Sequence, residues 1–116
     1  MNNFTEIEGA ILESISESGA TYISANGKEE SLKVKVHSLA FDKGWFEIEN
    51  PYSIVGGENL NDFIGLKVVE AFSNEDSIYL KFNNDSVVIV SLKDEDFNGP
   101  EAASYNPKKG DIIVFN

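Results

Sequence analysis

Apolar and polar residues alternate in short runs along this chain. Leu32, Val34 and Val36 are separated by lysines, and Phe46 and Ile48 alternate with Glu47 and Glu49. A period of two marks a strand with one face on a core and the other on water. Val87 and Ile89 repeat the pattern, with Val90 extending the apolar run.

Sliding the chain against itself exposes an approximate repeat. Ile11-Leu12-Glu13-Ser14-Ile15-Ser16 parallels Val68-Val69-Glu70-Ala71-Phe72-Ser73, and the same offset sets Tyr22-Ile23 against Tyr79-Leu80 and Asn26 against Asn83. The copies, about residues 10–37 and 67–92, each read as a β-meander. Turns are expected at Glu17-Ser18-Gly19, Asn26-Gly27, Asn74-Glu75-Asp76 and Asn83-Asn84-Asp85.

The repeat resolves an ambiguity at the N-terminus. Phe4, Ile7, Ile11 and Ile15 also fit one face of a helix, with Thr5 and Glu8 as a capping box. The counterpart segment from Gly65 to Phe72 is β-branched and opens on a glycine, so a strand from about Ala10 to Ser16 is expected, preceded by a short helical turn. Between the copies, Asp42-Lys43-Gly44 reads as a hairpin connection into a strand carrying Phe46 and Ile48, and Pro51 ends that strand or places it at an edge. Gly56-Gly57 and Asn59 to Ile64 read as a loop with a helical turn, and Asp111 to Phe115 as a last strand. The expected fold is a single mainly β domain over residues 1–116. Two meanders form an antiparallel sheet, sandwich or partly open barrel, with at most one or two short helices.

Composition narrows the function. A length of 116 residues suits one hydrophobic core, and a 41% apolar content with eight Phe argues against disorder. No apolar run approaches the ~20 residues that span a bilayer. The Met1-Asn2-Asn3-Phe4-Thr5-Glu6 start lacks the basic and apolar regions of a signal peptide, so a cytoplasmic chain with no membrane partner is expected. The absence of cysteine removes disulfides, thiolate nucleophiles and Cys-ligated zinc. A net charge of −11 repels phosphate backbones and attracts basic proteins, which argues against direct nucleic-acid binding.

Catalytic constellations are not apparent. The single histidine, His37, falls on the polar side of a strand pattern, so no Ser-His or Cys-His arrangement can be assembled. Asp94-Glu95-Asp96 lacks the alternate spacing and central glycine of a calcium loop, and Gly56-Gly57 lacks the Lys-Ser/Thr of a phosphate loop. No catalytic, cofactor or metal site is therefore expected. Phe46 belongs to the core by its alternation, whereas Tyr52 and Tyr105, beside Pro51 and Pro107, are expected in loops as exposed anchors.

The run from Gly44 to Ile54, the segment from Phe63 to Ala71, Ile78-Tyr79-Leu80-Lys81-Phe82 and Gly99-Pro100-Glu101-Ala102 together resemble small immunity proteins of bacterial contact-dependent growth-inhibition and polymorphic toxin systems. The resemblance covers roughly the last two thirds of the chain. It implies a non-enzymatic protein that binds and blocks a cognate toxin, with a nuclease, and an RNase over a DNase, as the favoured target. Nuclease grooves are basic in order to hold phosphate, and an acidic domain complements such a groove. The alternatives are a small carboxylate-using enzyme or metabolite-binding β-domain, and a structural subunit of a larger complex.

The partner site follows from strand direction. Strands near Val68–Phe72, Ile78–Phe82 and Val87–Leu92 alternate, so the turn at Glu75 and Asp76 and the exit at Asp94, Glu95 and Asp96 must share one end of the sheet. Glu101 continues from that exit and Tyr105 is its expected aromatic anchor. Glu17 and Asp42 take the equivalent ends of the first meander. The expected occupant of the acidic end is a basic toxin domain.

Overall fold

Gly9 and Gly65 organise the chain, because each adopts a positive φ, 84° and 89°, that side chains disfavour. Each follows a single turn of 3-10 helix, Thr5–Ile7 or Leu60–Phe63, whose last residue drops into the core. The second turn is fastened at its start. Asn59 Oδ1 accepts the Asn61 N–H, while Asp62 Oδ2 accepts the N–H groups of Glu58 and Asn59, which hold the Asp62 carboxyl below its ordinary value. Each glycine then leads into a strand with a bulge at its start, between Leu12 and Ser14 or between Val68 and Glu70.

The computed structural model describes residues 2–23 and 31–116. Its strands are β1 (Asn2–Asn3), β2 (Leu12–Ile23), β3 (Ser31–Phe41), β4 (Gly44–Ile48), β5 (Tyr52–Val55), β6 (Val68–Ser73), β7 (Ser77–Phe82), β8 (Val87–Ser91), β9 (Ala103–Pro107) and β10 (Ile113–Phe115). They form two antiparallel sheets, in the orders β1-β6-β7-β8-β5 and β10-β9-β4-β3-β2. The fold is mainly β as expected, the sheets do not close into a barrel, and the helices are lone 3-10 turns.

Both sheets turn toward one core. Leu39, Phe41, Phe46 and Ile48 face it from one sheet and Ile78, Leu80, Phe82, Val88 and Val90 from the other, all essentially inaccessible to water. Phe82 joins the halves, with its ring 6.4 Å from Phe41 and 4.8 Å from Phe63. Burying an aromatic side chain of this size removes so much apolar surface from water that truncating it costs about 3–5 kcal/mol.

The two units exchange strands. β5 follows β4 in the chain yet pairs with β8, and β9 follows β8 yet pairs with β4. Each sheet therefore contains a strand delivered by the other unit.

The turns expected at Asn74-Glu75-Asp76 and Asn83-Asn84-Asp85 fall between β6, β7 and β8, but one expected turn is overturned. Glu17-Ser18-Gly19 is not a turn but the middle of β2, where Glu17 faces His37 and Gly19 faces Lys35 across the ladder. Asn26-Gly27 lies outside the described residues. The counterpart of Asn83 is Asp42. Each turn donates its N–H to the opposite strand, at Ile11 or Lys67, and its side-chain oxygen accepts that same residue's N–H, at 2.9 Å or 3.3 Å. The gapless alignment misses this because β2 and β3 have 12 and 11 residues while β6 and β7 have six each.

Tyr105 is likewise corrected. It is in β9 opposite Phe46, fully buried, and its hydroxyl finds no hydrogen-bond partner. Burial first, then the nearby Asp42 and Glu6 carboxylates, raise its pKa above the ordinary 10.0, since each disfavours the phenolate.

Two predictions follow from this packing. A Cβ at Gly44 would sit 2.5 Å from the Asn106 carbonyl oxygen and 2.8 Å from Pro107 Cα, both backbone atoms of β9, whereas at Gly65 nothing lies within 4 Å. Gly44→Ala should therefore cost about 1–3 kcal/mol by forcing β4 and β9 apart, and Gly65→Ala about 1–2 kcal/mol from its backbone conformation alone. Urea denaturation should rank Gly44→Ala as the costlier change; the reverse order would dismiss the close approach as its cause. Tyr105→Phe should stabilise the fold by about 1 kcal/mol, because it removes a buried hydroxyl with no partner. Tyr105 keeps its proton longer when folded than unfolded, so its contribution is full below pH 10.0 and is lost as pH rises through the folded value. The phenylalanine variant should lack that alkaline loss in thermal melts.

Candidate partner-binding site

The turn between β6 and β7 is built by Asn74, whose Oδ1 accepts the N–H groups of Asp76 and Ser77. An Asx turn of this kind presents the two following side chains outward, and Glu75 and Asp76 are both exposed. The exit from β8 is tied to the same turn, as Leu92 N–H donates to the Asp76 carbonyl at 2.8 Å. A 3-10 turn at Asp94–Asp96 follows. It is held by Ser91 Oγ, which donates to Asp96 Oδ2 at 2.6 Å and accepts the Lys93 N–H.

These bonds bring Glu75, Asp76, Asp94 and Glu95 around one open recess of about 430 Å³, lined also by Leu92 and Lys93. Asp96 sits beside it, in an adjoining recess with Ser77, Ile89, Ser91 and Lys93. The structure thus brings together five of the seven residues expected at the partner site. Glu101 lies outside both recesses, and Tyr105 is sealed in the core. Asp42 is drawn to Ile11 instead, and Glu17 pairs with Lys35 at 3.2 Å from mid-strand.

A feature missed from the sequence adjoins the acidic end. On the outer face of the sheet, Phe72, Tyr79 and Ile89 stand in one cross-strand row, each half-buried, with the Phe72 and Tyr79 rings stacked at 4.7 Å. The signal was present: in β7 the core-facing residues are Ile78, Leu80 and Phe82, so an apolar residue at Tyr79 must point the other way.

A third recess, about 320 Å³, lies near the start of β5. His37, Glu49, Asn50, Tyr52, Lys35 and Asn98 line it. Tyr52 is not a loop anchor, because it belongs to β5 and its ring meets His37 edge-on at 5.1 Å. His37 is only 18% exposed and its Nδ1 lies 3.5 Å from Glu17 Oε1, so the polar-face expectation understated its burial. Asn50 donates through Nδ2 to the Ser91 carbonyl, while its Oδ1 is buried with no partner. No group of His, Cys, Asp and Glu among the described residues has the arrangement of a metal site.

Compared with protein-family models, curated proteins and solved structures, the chain matches none.

Proposed function

We propose that this chain acts by binding a basic protein, as an immunity protein that blocks a cognate bacterial toxin, with a nuclease and most readily an RNase as the target. The observation that carries the reading is the convergence of the Glu75, Asp76, Asp94 and Glu95 carboxylates on one open recess, with Asp96 beside it. Lys93 is the single cation among the lining residues, so the recess attracts lysine and arginine side chains of a phosphate-binding groove. The half-buried row of Phe72, Tyr79 and Ile89 supplies an apolar centre next to that polar rim, the anatomy expected of a specific interface. Tyr79 takes the aromatic role first assigned to Tyr105.

Capture from the native strain, followed by rescue of cells expressing the captured toxin, tests the reading directly. Changing Asp94 and Glu95 together to lysine, which leaves the Ser91–Asp96 hydrogen bond intact, should slow association with the partner on the order of tenfold at low salt, with little effect on the melting temperature. Tyr79→Ala should act chiefly on dissociation. Unchanged association in the double variant would reject the acidic end as the site.

A metabolite-binding role at the His37 recess is the second reading, favoured by the buried, unpartnered Oδ1 of Asn50. A ligand donating to that atom should raise the melting temperature of the wild-type chain and not of Asn50→Ala.

A further inference from the structure

Four strands carry the free edges of the two sheets. Three are short: β1 has two residues, β10 three and β5 four. The fourth, β2, has 12. Short edges are a common protection against pairing with another chain, because few unpaired N–H and C=O groups are offered. β2 is unprotected in that sense. Among the described residues its outer edge is used only at Leu12, which donates to the Leu66 carbonyl and accepts from Gly65 N–H. From Glu13 to Gly19 the strand contains no proline, and after the bulge at Ser14 its ladder with β3 runs without interruption. Every residue of that stretch except the partly covered Ile15 is exposed.

We infer that the outer edge of β2 from Glu13 to Gly19 is a docking site for an extended basic segment of a partner protein, added as a further antiparallel strand. Main-chain hydrogen bonds supply the affinity in this mode, and side chains beside the edge select the sequence. Here the selecting side chains are Glu13 and Glu17, set among Ser14, Ser16, Ser18 and Gly19, which leave room for a neighbouring backbone. Lysine or arginine opposite the glutamates is favoured, whereas like charges directly opposite are disfavoured. Glu17 is engaged by Lys35 and lies 3.5 Å from His37 Nδ1, both on β3, but its side chain and that of Lys35 are more than half exposed, so an incoming cation competes for the carboxylate at small cost. A second copy of this chain is a poor occupant. It carries a net charge of −11 and would bring its own Glu13 and Glu17 to the same edge. The inference concerns a different surface from the acidic end and holds whether or not the partner is a toxin.

The test uses an uncharged-end peptide of ten residues alternating lysine with threonine and valine, its glutamate counterpart, and a lysine version with alternate amides N-methylated. Amide hydrogen exchange and NMR shifts are followed along the intact chain. The lysine peptide at millimolar concentration should slow exchange within residues 13–19, with an effect that weakens as salt rises. The glutamate and N-methylated peptides should not. Glu13→Gln with Glu17→Gln should weaken the lysine peptide roughly two- to tenfold, and Glu13→Lys with Glu17→Lys should transfer the preference to the glutamate peptide. Equal protection by the N-methylated peptide would reduce the effect to charge adhesion and overturn the proposal. No protection of residues 13–19, or protection confined to another edge, would also overturn it. So would self-association of the free chain through β2 in sedimentation.

Discussion

Four backbone hydrogen bonds between residues 9–12 and 65–68 hold the two units together: Gly9 N to Val68 O, Val68 N to Ala10 O, Leu12 N to Leu66 O and Gly65 N to Leu12 O, at 2.7–3.0 Å. They join the two segments just before the bulges, where Ala10, Leu12 and Val68 are completely buried. Polar backbone in such a place must be paired, since a buried peptide group without a partner costs about as much as a lost hydrogen bond. Gly9 and Gly65 let both segments turn into this arrangement, and the 3-10 turns before them place Ile7 and Phe63 beneath it. The two sheets diverge from that junction, and the core lies between them.

The same arrangement positions the acidic end. β6, β7 and β8 leave the junction as a tight meander, so the turn after β6 and the exit of β8 fall side by side, and Asn74 and Ser91 fix the two segments locally. The first unit follows the same plan up to its turn at Asp42, but its longer hairpin carries β2 and β3 well past β4, which pairs with β3 only from His37 to Phe41. The molecule's long dimension, 47 Å against 28 and 26 Å, accords with that extension.

What the sequence made legible follows the same physics. β6, β7 and β8 and the Asp42-Lys43 turn were readable as elements because alternation and turn residues are local signals. In the uniformly apolar run of β8 the face was not, since Val88 and Val90 meet the core and Val87 and Ile89, the expected alternation, face outward. The run of β2 through Gly19 was not, because an edge strand exposed on most of its surface needs no apolar side chains, and Ser-Glu-Ser-Gly then reads as a turn. Tyr105 was misplaced for a related reason. Pro107 suggested a loop, yet it ends β9 opposite Gly44, a position where its missing N–H is tolerated. The convergence of the carboxylates at the acidic end was legible from strand direction alone. The exchange of β5 and β9 was not, since it depends on contacts between distant parts of the chain.

That exchange governs the order in which the chain acquires its structure. β4 has a neighbour on one side as soon as β3 forms, but its other neighbour, β9, begins at Ala103. During synthesis, which proceeds from the N-terminus, the first sheet must wait with β4 as an open edge until β9 has emerged. The second sheet has no such delay, because β5 is already made when β8 appears. The unit encoded first is therefore the unit completed last, and the backbone edge of β4 from Gly44 to Ile48 is what stays unpaired until then.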